Sequence, residues 1–211
     1  MSLGVLLALP FLGTLLCAAL YRSSRTVQAL AALGANGAAF LLLLSFAPGV
    51  IGAGEVVTAK LEWVPSIGLN ANLFLDPLGW MFAGLILGIG LLILIYARFY
   101  LSPADPMGRF YAFLMLFQGA MLGIVLSDNV LLLIVFWELT SISSFLLIGF
   151  WRARPDAREG ARMALAITAG GGLALLAGVL VLGNIAGSYD LTTILGERET
   201  IQSSPLYPLA L

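Results

Sequence analysis

The sequence contains no histidine and only one cysteine, and charged residues make up only 10% of its 211 residues. The absence of histidine removes the commonest metal ligand and the usual proton carrier near neutral pH, so any proton handling within these residues depends on carboxylates. Cys17 alone cannot form a disulfide within the chain or hold an iron–sulfur cluster. The sequence therefore predicts no metal site and no bound cofactor.

Polar sequence is also scarce, and this excludes an ordinary soluble domain. Hydrophobic residues make up 61% of the chain, and the mean hydropathy is +1.04. Both values lie far above those of soluble globular proteins. The arginines lie at the ends of apolar runs rather than on one basic face, so nucleic-acid binding has no support. We therefore expect an integral membrane protein embedded in a lipid bilayer.

Six apolar segments each approach the roughly 20 residues that a helix needs to cross a ~30 Å hydrocarbon core. The predicted fold class is all-α, a polytopic membrane protein with six transmembrane helices. The stretch Ser203–Leu211 begins another apolar run and predicts the first turns of a seventh helix. The six predicted spans are Ser2–Tyr21, Thr26–Phe46, Asp76–Tyr100, Arg109–Leu126, Asn129–Trp151 and Gly160–Gly187.

Local signals support two of these boundaries. Asp76 followed by Pro77 is a typical helix start, because the side chain can cap the first turn and proline fits the first helical position. The run from Ser127 to Asn129 opens the fifth span in the same way, and capping or loop solvation is sufficient to explain the acidic residues near span ends, Asp128 included. Residues 47–75 mix Gly, Pro and alternating apolar residues, which predicts a short strand or hairpin.

The basic residues predict the orientation of the spans, since Lys and Arg near span ends mark the cytoplasmic side. Eight of the ten basic residues lie on alternate connections, and Lys60 and Arg198 are left for the other side. This distribution predicts that the N-terminus lies outside, and orientation of the spans is sufficient to explain the arginines. The eight are Arg22 and Arg25, Arg98 and Arg109, and Arg152, Arg154, Arg158 and Arg162.

Glu138 is the candidate functional residue because it lies about ten residues from either end of the fifth predicted span. At ~1.5 Å per residue it is roughly 15 Å from each membrane surface. A charge at this depth costs at least about 2.5–3.5 kcal/mol, so such carboxylates face the protein interior, pair with a cation or take a proton. All ten basic residues lie at predicted span ends or in loops, so the sequence offers no counter-charge at that depth.

Polar side chains follow Glu138 on the same helix. At 100° per residue, Thr140, Ser141 and Ser144 share one arc, and Ser141 lies about 60° from Glu138. Their hydroxyl groups can bond a carboxylate or support a water chain, but small polar residues are equally typical of helix-packing contacts. Gln118 in the fourth span is a further candidate for a water-chain contact, or simply bonds a neighbouring helix. These five residues form the predicted proton pathway.

The residues in three segments resemble a known family. "LSDNVLLLIVFWELTSISSFLLIGFW" (Leu126–Trp151), "RFYAFLMLFQGAML" (Arg109–Leu122) and "LDPLGWMF" (Leu75–Phe82) resemble the large A subunit of the multisubunit Mrp-type cation/proton antiporters. That family is similar to the antiporter-like, proton-pumping subunits of respiratory complex I. The resemblance implies that residues 1–106 form the first three helices with an outer loop at 47–75, and that residues 107–211 open the first five-helix antiporter repeat.

The resemblance also implies a role for Glu138 as the acidic half of a buried Glu/Lys pair, with the lysine on a seventh span. These 211 residues are expected to supply the glutamate but not the lysine, and therefore to form only part of an ion pathway. They are expected to correspond to the N-terminal part of such a protein. The function implied is that of a membrane subunit, not an enzyme, that exchanges Na+ for protons in a bacterial inner membrane together with other Mrp subunits.

Two alternatives from other classes stay open on the sequence. The chain could be an antiporter-like membrane arm of a redox pump of the complex I or membrane-hydrogenase type, with the electron carriers on other subunits. It could also be a structural scaffold whose glutamate is buried and protonated. Flavin or iron–sulfur subunits that co-purify would favour the first, and undiminished transport without the glutamate would favour the second.

Overall fold

The computed structural model describes residues 2–210, with the side chains of all of them except Ser2 and Leu209. The architecture is predominantly helical, and the six long helices follow one another up and down through a single bundle. The helices are α1 (Ser2–Ala19), α2 (Arg25–Ser45), α3 (Pro77–Tyr100), α4 (Met107–Leu126), α5 (Val130–Ile148), α6 (Pro155–Ala186), α7 (Leu191–Gly196) and α8 (Arg198–Ser203).

Five of these helices, α2 to α6, are long and apolar enough to cross a membrane. A π-helical turn at Pro48–Gly52 extends the span that begins with α2. The apolar α1 is the shortest of the six long helices and is not among these five, so the polytopic helical membrane fold is confirmed but the predicted count of six is not. The predicted start of a seventh helix is not confirmed either, because Tyr207–Leu209 forms a 3₁₀ turn and Leu211 lies outside the described residues.

The predicted helix starts are confirmed at atomic detail. Asp76 caps α3, its Oδ1 accepting a hydrogen bond of 2.6 Å from the amide of Gly79, and Pro77 occupies the first helical position. Asn129 caps α5 by accepting from the amide of Leu132 at 3.2 Å. At the C-terminal end of α6, Gly187 has a left-handed φ of 68° and ends the helix. This backbone conformation is strained for residues that carry a side chain.

The connection between α2 and α3 contains the predicted hairpin. Strand β1 (Val57–Ala59) pairs antiparallel with β2 (Leu73–Leu75), with Thr58 opposite Phe74, and a 3₁₀ turn at Pro65–Ile67 lies between them. Both ends of β2 are buried, and the strand contacts α1, α3 and α4. The hairpin therefore covers one end of the bundle and joins the core instead of extending away from it.

The packing order explains which faces are buried. The most extensive contacts are those of α1 with α4, α4 with α5, and α5 with α6. Half-buried Phe136 of α5 lies so close to Gly123 of α4 that a methyl group there would overlap its ring. By contrast, α6 packs along one side only, and large side chains such as Ile167 and Leu173 are exposed. Exposed apolar side chains of this kind are the surface that a membrane helix offers to lipid.

Candidate functional site around Glu138

Glu138 lies at the interface between α5 and α6. It is the ninth of the 19 residues of α5, which places it near the middle of the helix. Its half-buried side chain is directed at Gly172 of α6, itself buried. A methyl group at Gly172 would overlap Glu138 Oε1 and lie only 2.9 Å from Cδ. The absence of a side chain at this one position of α6 is therefore what leaves room for the carboxylate.

The carboxylate is incompletely bonded within the part of the chain that the structure describes. Glu138 Oε1 is buried and has no hydrogen-bond partner among residues 2–210. A buried, unpaired carboxylate oxygen in a membrane helix is costly unless the group is protonated or paired with a cation. Within the described residues, Glu138 Oε1 is therefore not a satisfied structural contact.

The predicted hydroxyl neighbours lie on the same helix but bond elsewhere. Thr140 Oγ1 donates to the carbonyl of Trp137 at 2.6 Å, and Ser141 Oγ donates to the same carbonyl at 3.3 Å. Ser141 is buried and Ser144 is half-buried. Such bonds back to the preceding turn satisfy hydroxyl groups within an apolar helix. Whether these hydroxyls exchange their bonds with Glu138 during transport stays a prediction.

Gln118 is separated from this arrangement. It lies in α4 but is directed at α3, where its Nε2 donates to the carbonyl of Ile86 at 3.3 Å. A methyl group at Gly90 would overlap the amide, so Gln118 fills a gap between α3 and α4. Its Oε1 is buried and, within residues 2–210, has no partner. Among the described residues, the hydroxyls of α5 therefore share a helix with Glu138 but make no hydrogen bond to it, and Gln118 lies at a different helix interface.

A buried polar junction at the end of the bundle near the hairpin escaped the sequence reasoning. Asp128, expected to be a cap or a solvated loop residue, is instead only 5% exposed, and its carboxylate accepts bonds from the amide and the hydroxyl of Thr192, both at 3.1 Å. Asp190 Oδ1 accepts from Asn72 at 2.9 Å and from Asn129 at 3.1 Å. Asp128 is buried because the connection after α6 folds back over the α4–α5 turn, where the amide of Leu191 donates to the carbonyl of Asp128. The cluster of three polar residues at 127–129 was the one available signal.

Two family sequence models match the chain. Residues 127–209 match the transmembrane family described as "NADH:quinone oxidoreductase/Mrp antiporter", and residues 63–111 match "NADH-Ubiquinone oxidoreductase (complex I), chain 5 N-terminus". The first match covers α5, α6 and the polar junction after α6. The second covers strand β2 of the hairpin, α3 and the start of α4.

Individual proteins with similar sequences carry antiporter names. The A/B subunit of a probable K+/H+ antiporter of Rhizobium meliloti is 43% identical over 205 residues, which are 97% of this chain and 20% of the relative. The A1 subunit of an Na+/H+ antiporter of Staphylococcus aureus is 47% identical over 159 residues, which are 75% of this chain and 20% of the relative. The chain thus spans about a fifth of the length of these curated relatives.

Solved structures show the same fold. One chain of the Mrp complex from Dietzia sp. DQ12-45-1b superposes with a TM-score of 0.80 at 28% identity, over 99% of this chain and 22% of that one. One chain of an archaeal membrane-bound sulfane sulfur reductase superposes with a TM-score of 0.82 over 100% of this chain and 32% of that one, but at 18% identity it supports the fold alone. The chain resembles the antiporter-like membrane subunits named in both family models, and in particular the N-terminal part of the large A subunits of Mrp antiporters.

Proposed function

We propose that the chain forms part of a membrane subunit of a multisubunit monovalent cation/proton antiporter, and that Glu138 accepts and releases a proton in the ion pathway. The observation that carries the proposal is the buried Glu138 oxygen without a partner at the middle of α5. The names of the relatives, which specify Na+/H+ or K+/H+ antiporter subunits, support the reaction class.

The counter-charge is proposed to be a lysine on a following helix of the same family fold, as the resemblance to Mrp A subunits implies. Approach of an ammonium group stabilises the ionised carboxylate, and its withdrawal favours protonation. Glu138 would then switch between a paired and a protonated state during each exchange cycle. Thr140, Ser141 and Ser144 are proposed to line the proton route on α5.

The remaining parts of the proposal concern the setting. The protein lies in a bacterial inner membrane with six transmembrane helices in these residues, the start of a seventh, and the N-terminus outside, as the distribution of arginines favours. Residues 1–106 are proposed as the introductory three-helix unit and residues 107–211 as the opening of the first antiporter repeat. Its partners are the other subunits of the Mrp-type assembly.

The test is cation-driven proton movement in vesicles that carry the whole assembly with Glu138→Gln. The amide has the same size but cannot carry a proton, so exchange is expected to fall by at least about tenfold, as for loss of a proton-transfer group. Glu159→Gln is the matched control, because Glu159 is an exposed carboxylate at the start of α6. Undiminished exchange in an assembled Glu138→Gln complex would remove the proposed role.

The choice of cation is tested in the same vesicles. We propose Na+ as the transported ion, and one relative is named for K+ instead. Exchange driven by Na+ but not by K+ is the expected result, and the reverse would correct the ion without affecting the role of Glu138. Proton movement that requires an electron donor and neither cation would assign the chain to a redox pump.

A further inference from the structure

A cavity of about 400 Å³ lies between α4, α5 and the start of α6, away from Glu138. Its apolar wall consists of half-buried Phe113 from α4 and of Phe145 and Leu146 from the end of α5. Its rim carries three arginines, Arg152 from the α5–α6 connection and Arg158 and Arg162 from α6. This volume falls in the ~300–1,000 Å³ range of sites that bind small molecules.

The three rim arginines differ from the other arginines nearby. Arg154 is paired with Asp156 through two hydrogen bonds, at 3.2 Å from Nε and 2.5 Å from Nη2. Arg109 donates from Nη2 to the carbonyl of Phe150 at 2.8 Å and lies over its ring. The side chains of the three rim arginines have no ion pair or hydrogen bond to any of the residues that the structure describes. Arg158 and Arg162 are four residues apart in the sequence and therefore lie on the same face of α6.

The position of the cavity narrows the choice of ligand. It opens where α5 ends and α6 begins, and from the helix lengths we infer that the guanidinium groups lie at the level of the head groups and the aromatic rings at the level of the upper acyl chains. The N-terminus of α6 adds positive potential at the same place. A ligand with a phosphate group, an overall negative charge and a hydrocarbon chain matches both halves of the cavity.

We propose that this cavity binds an anionic phospholipid, with the phosphate held by Arg152, Arg158 and Arg162 and an acyl chain against Phe113 and Phe145. The head group has to be anionic, because a choline or ethanolamine cation would be repelled by three unpaired guanidinium groups. The inference is independent of the proposed transport function, since the cavity lies at the helix ends and Glu138 near the middle of α5.

The experiment uses the assembled complex in membranes and a phosphatidylglycerol that carries a photoreactive group in one acyl chain. Irradiation is expected to label the peptides that contain Phe113 and Phe145. Each arginine near a membrane surface contributes about fivefold to the binding of an anionic lipid, so Arg158→Ala and Arg162→Ala should each reduce the labelling by about this factor. Arg154→Ala is the matched control and should leave the labelling unchanged, because Arg154 is already paired and does not line the cavity.

Lys substitutions keep the proposal testable if an alanine variant fails to insert. Arg158→Lys and Arg162→Lys preserve the charge that orients the helices but lose the two-pronged guanidinium contact, so their labelling should lie between wild type and alanine. Equal labelling by a phosphatidylcholine probe, displacement of the probe by inorganic phosphate alone, or an equal loss in Arg154→Ala would each overturn the proposal.

Discussion

A single methyl group at Gly172 should distinguish a functional contact with Glu138 from ordinary helix packing. Three consecutive glycines occupy the middle of α6, and their surroundings differ sharply. Gly170 and Gly171 are exposed, and nothing lies within 4 Å of a methyl group at either position. At Gly172, the same methyl group would overlap the Glu138 carboxylate. Of the three glycines, Gly172 alone therefore lies in a close helix contact.

The magnitude follows from a comparison of Gly172→Ala with Gly171→Ala. Both variants gain the same helix-propensity benefit of roughly 0.5–1 kcal/mol, so this contribution cancels between them. The difference that remains is the cost of an overlap in a packed interface, about 1–3 kcal/mol in the free energy of unfolding. Gly171→Ala should therefore stabilise the protein, and Gly172→Ala should be less stable than Gly171→Ala by that amount.

The assay combines denaturant unfolding of the purified complex with cation/proton exchange in vesicles. If Glu138 carries protons from its place against Gly172, exchange should fall in Gly172→Ala and stay at the wild-type level in Gly171→Ala. Equal stability and equal exchange in the two variants would refute the reasoning.

Two further predictions concern stability. Asp76→Ala removes the side-chain oxygen that caps α3 and should lower the free energy of unfolding by about 1 kcal/mol, as measured by denaturant unfolding. Asp76→Asn keeps a capping oxygen and should retain most of the stability that the cap contributes. Asp128→Ala removes the buried carboxylate that accepts hydrogen bonds from the amide and the hydroxyl of exposed Thr192 and should cost about 1–3 kcal/mol, with Asp128→Asn intermediate because one oxygen remains. Thr192→Ala combined with Asp128→Ala should cost less than the sum of the single changes.

Either stability prediction can fail on its own. An Asp76→Ala protein as stable as the Asn variant would mean that water replaces the cap, which would place this helix end in solvent. Strictly additive effects at Asp128 and Thr192 would show that the two side chains contribute independently. The distances of 3.1 Å between them would then have no energetic consequence.

The helices could be predicted because their signals are local. Apolar length sets the number of residues in a span, and the Asp76-Pro77 pair marks a helix start from adjacent residues. The hairpin in residues 47–75 could be predicted from alternation in the same way. The number of spans could not be settled by these rules, because the 18 residues of α1 lie near the lower limit of the length that crosses a membrane.

The polar junction could not be predicted, since its members are distant in sequence. Asn72 and Asp190 are 118 residues apart, and Asp128 and Thr192 are 64 residues apart. No periodicity relates such positions, and only the fold-back of the connection after α6 brings them together. The contact of Glu138 with Gly172 is of the same kind, because it depends on how α6 is rotated about its own axis.

Three polar side chains inside the bundle, Asn36, Gln118 and Glu138, each have a buried oxygen without a partner among the residues described, but only one of them is a carboxylate. The nitrogens of the two amides donate to carbonyls of α3. The buried amide oxygen then costs one unmade hydrogen bond, about 1–3 kcal/mol in the free energy of unfolding, and the amide remains neutral. A carboxylate can escape the larger cost of a buried charge by binding a proton or a cation, and an amide cannot. Of the three side chains with a buried, unpartnered oxygen, Glu138 is therefore the one that can change its charge, and a place for Gln118 in the proton pathway stays a prediction.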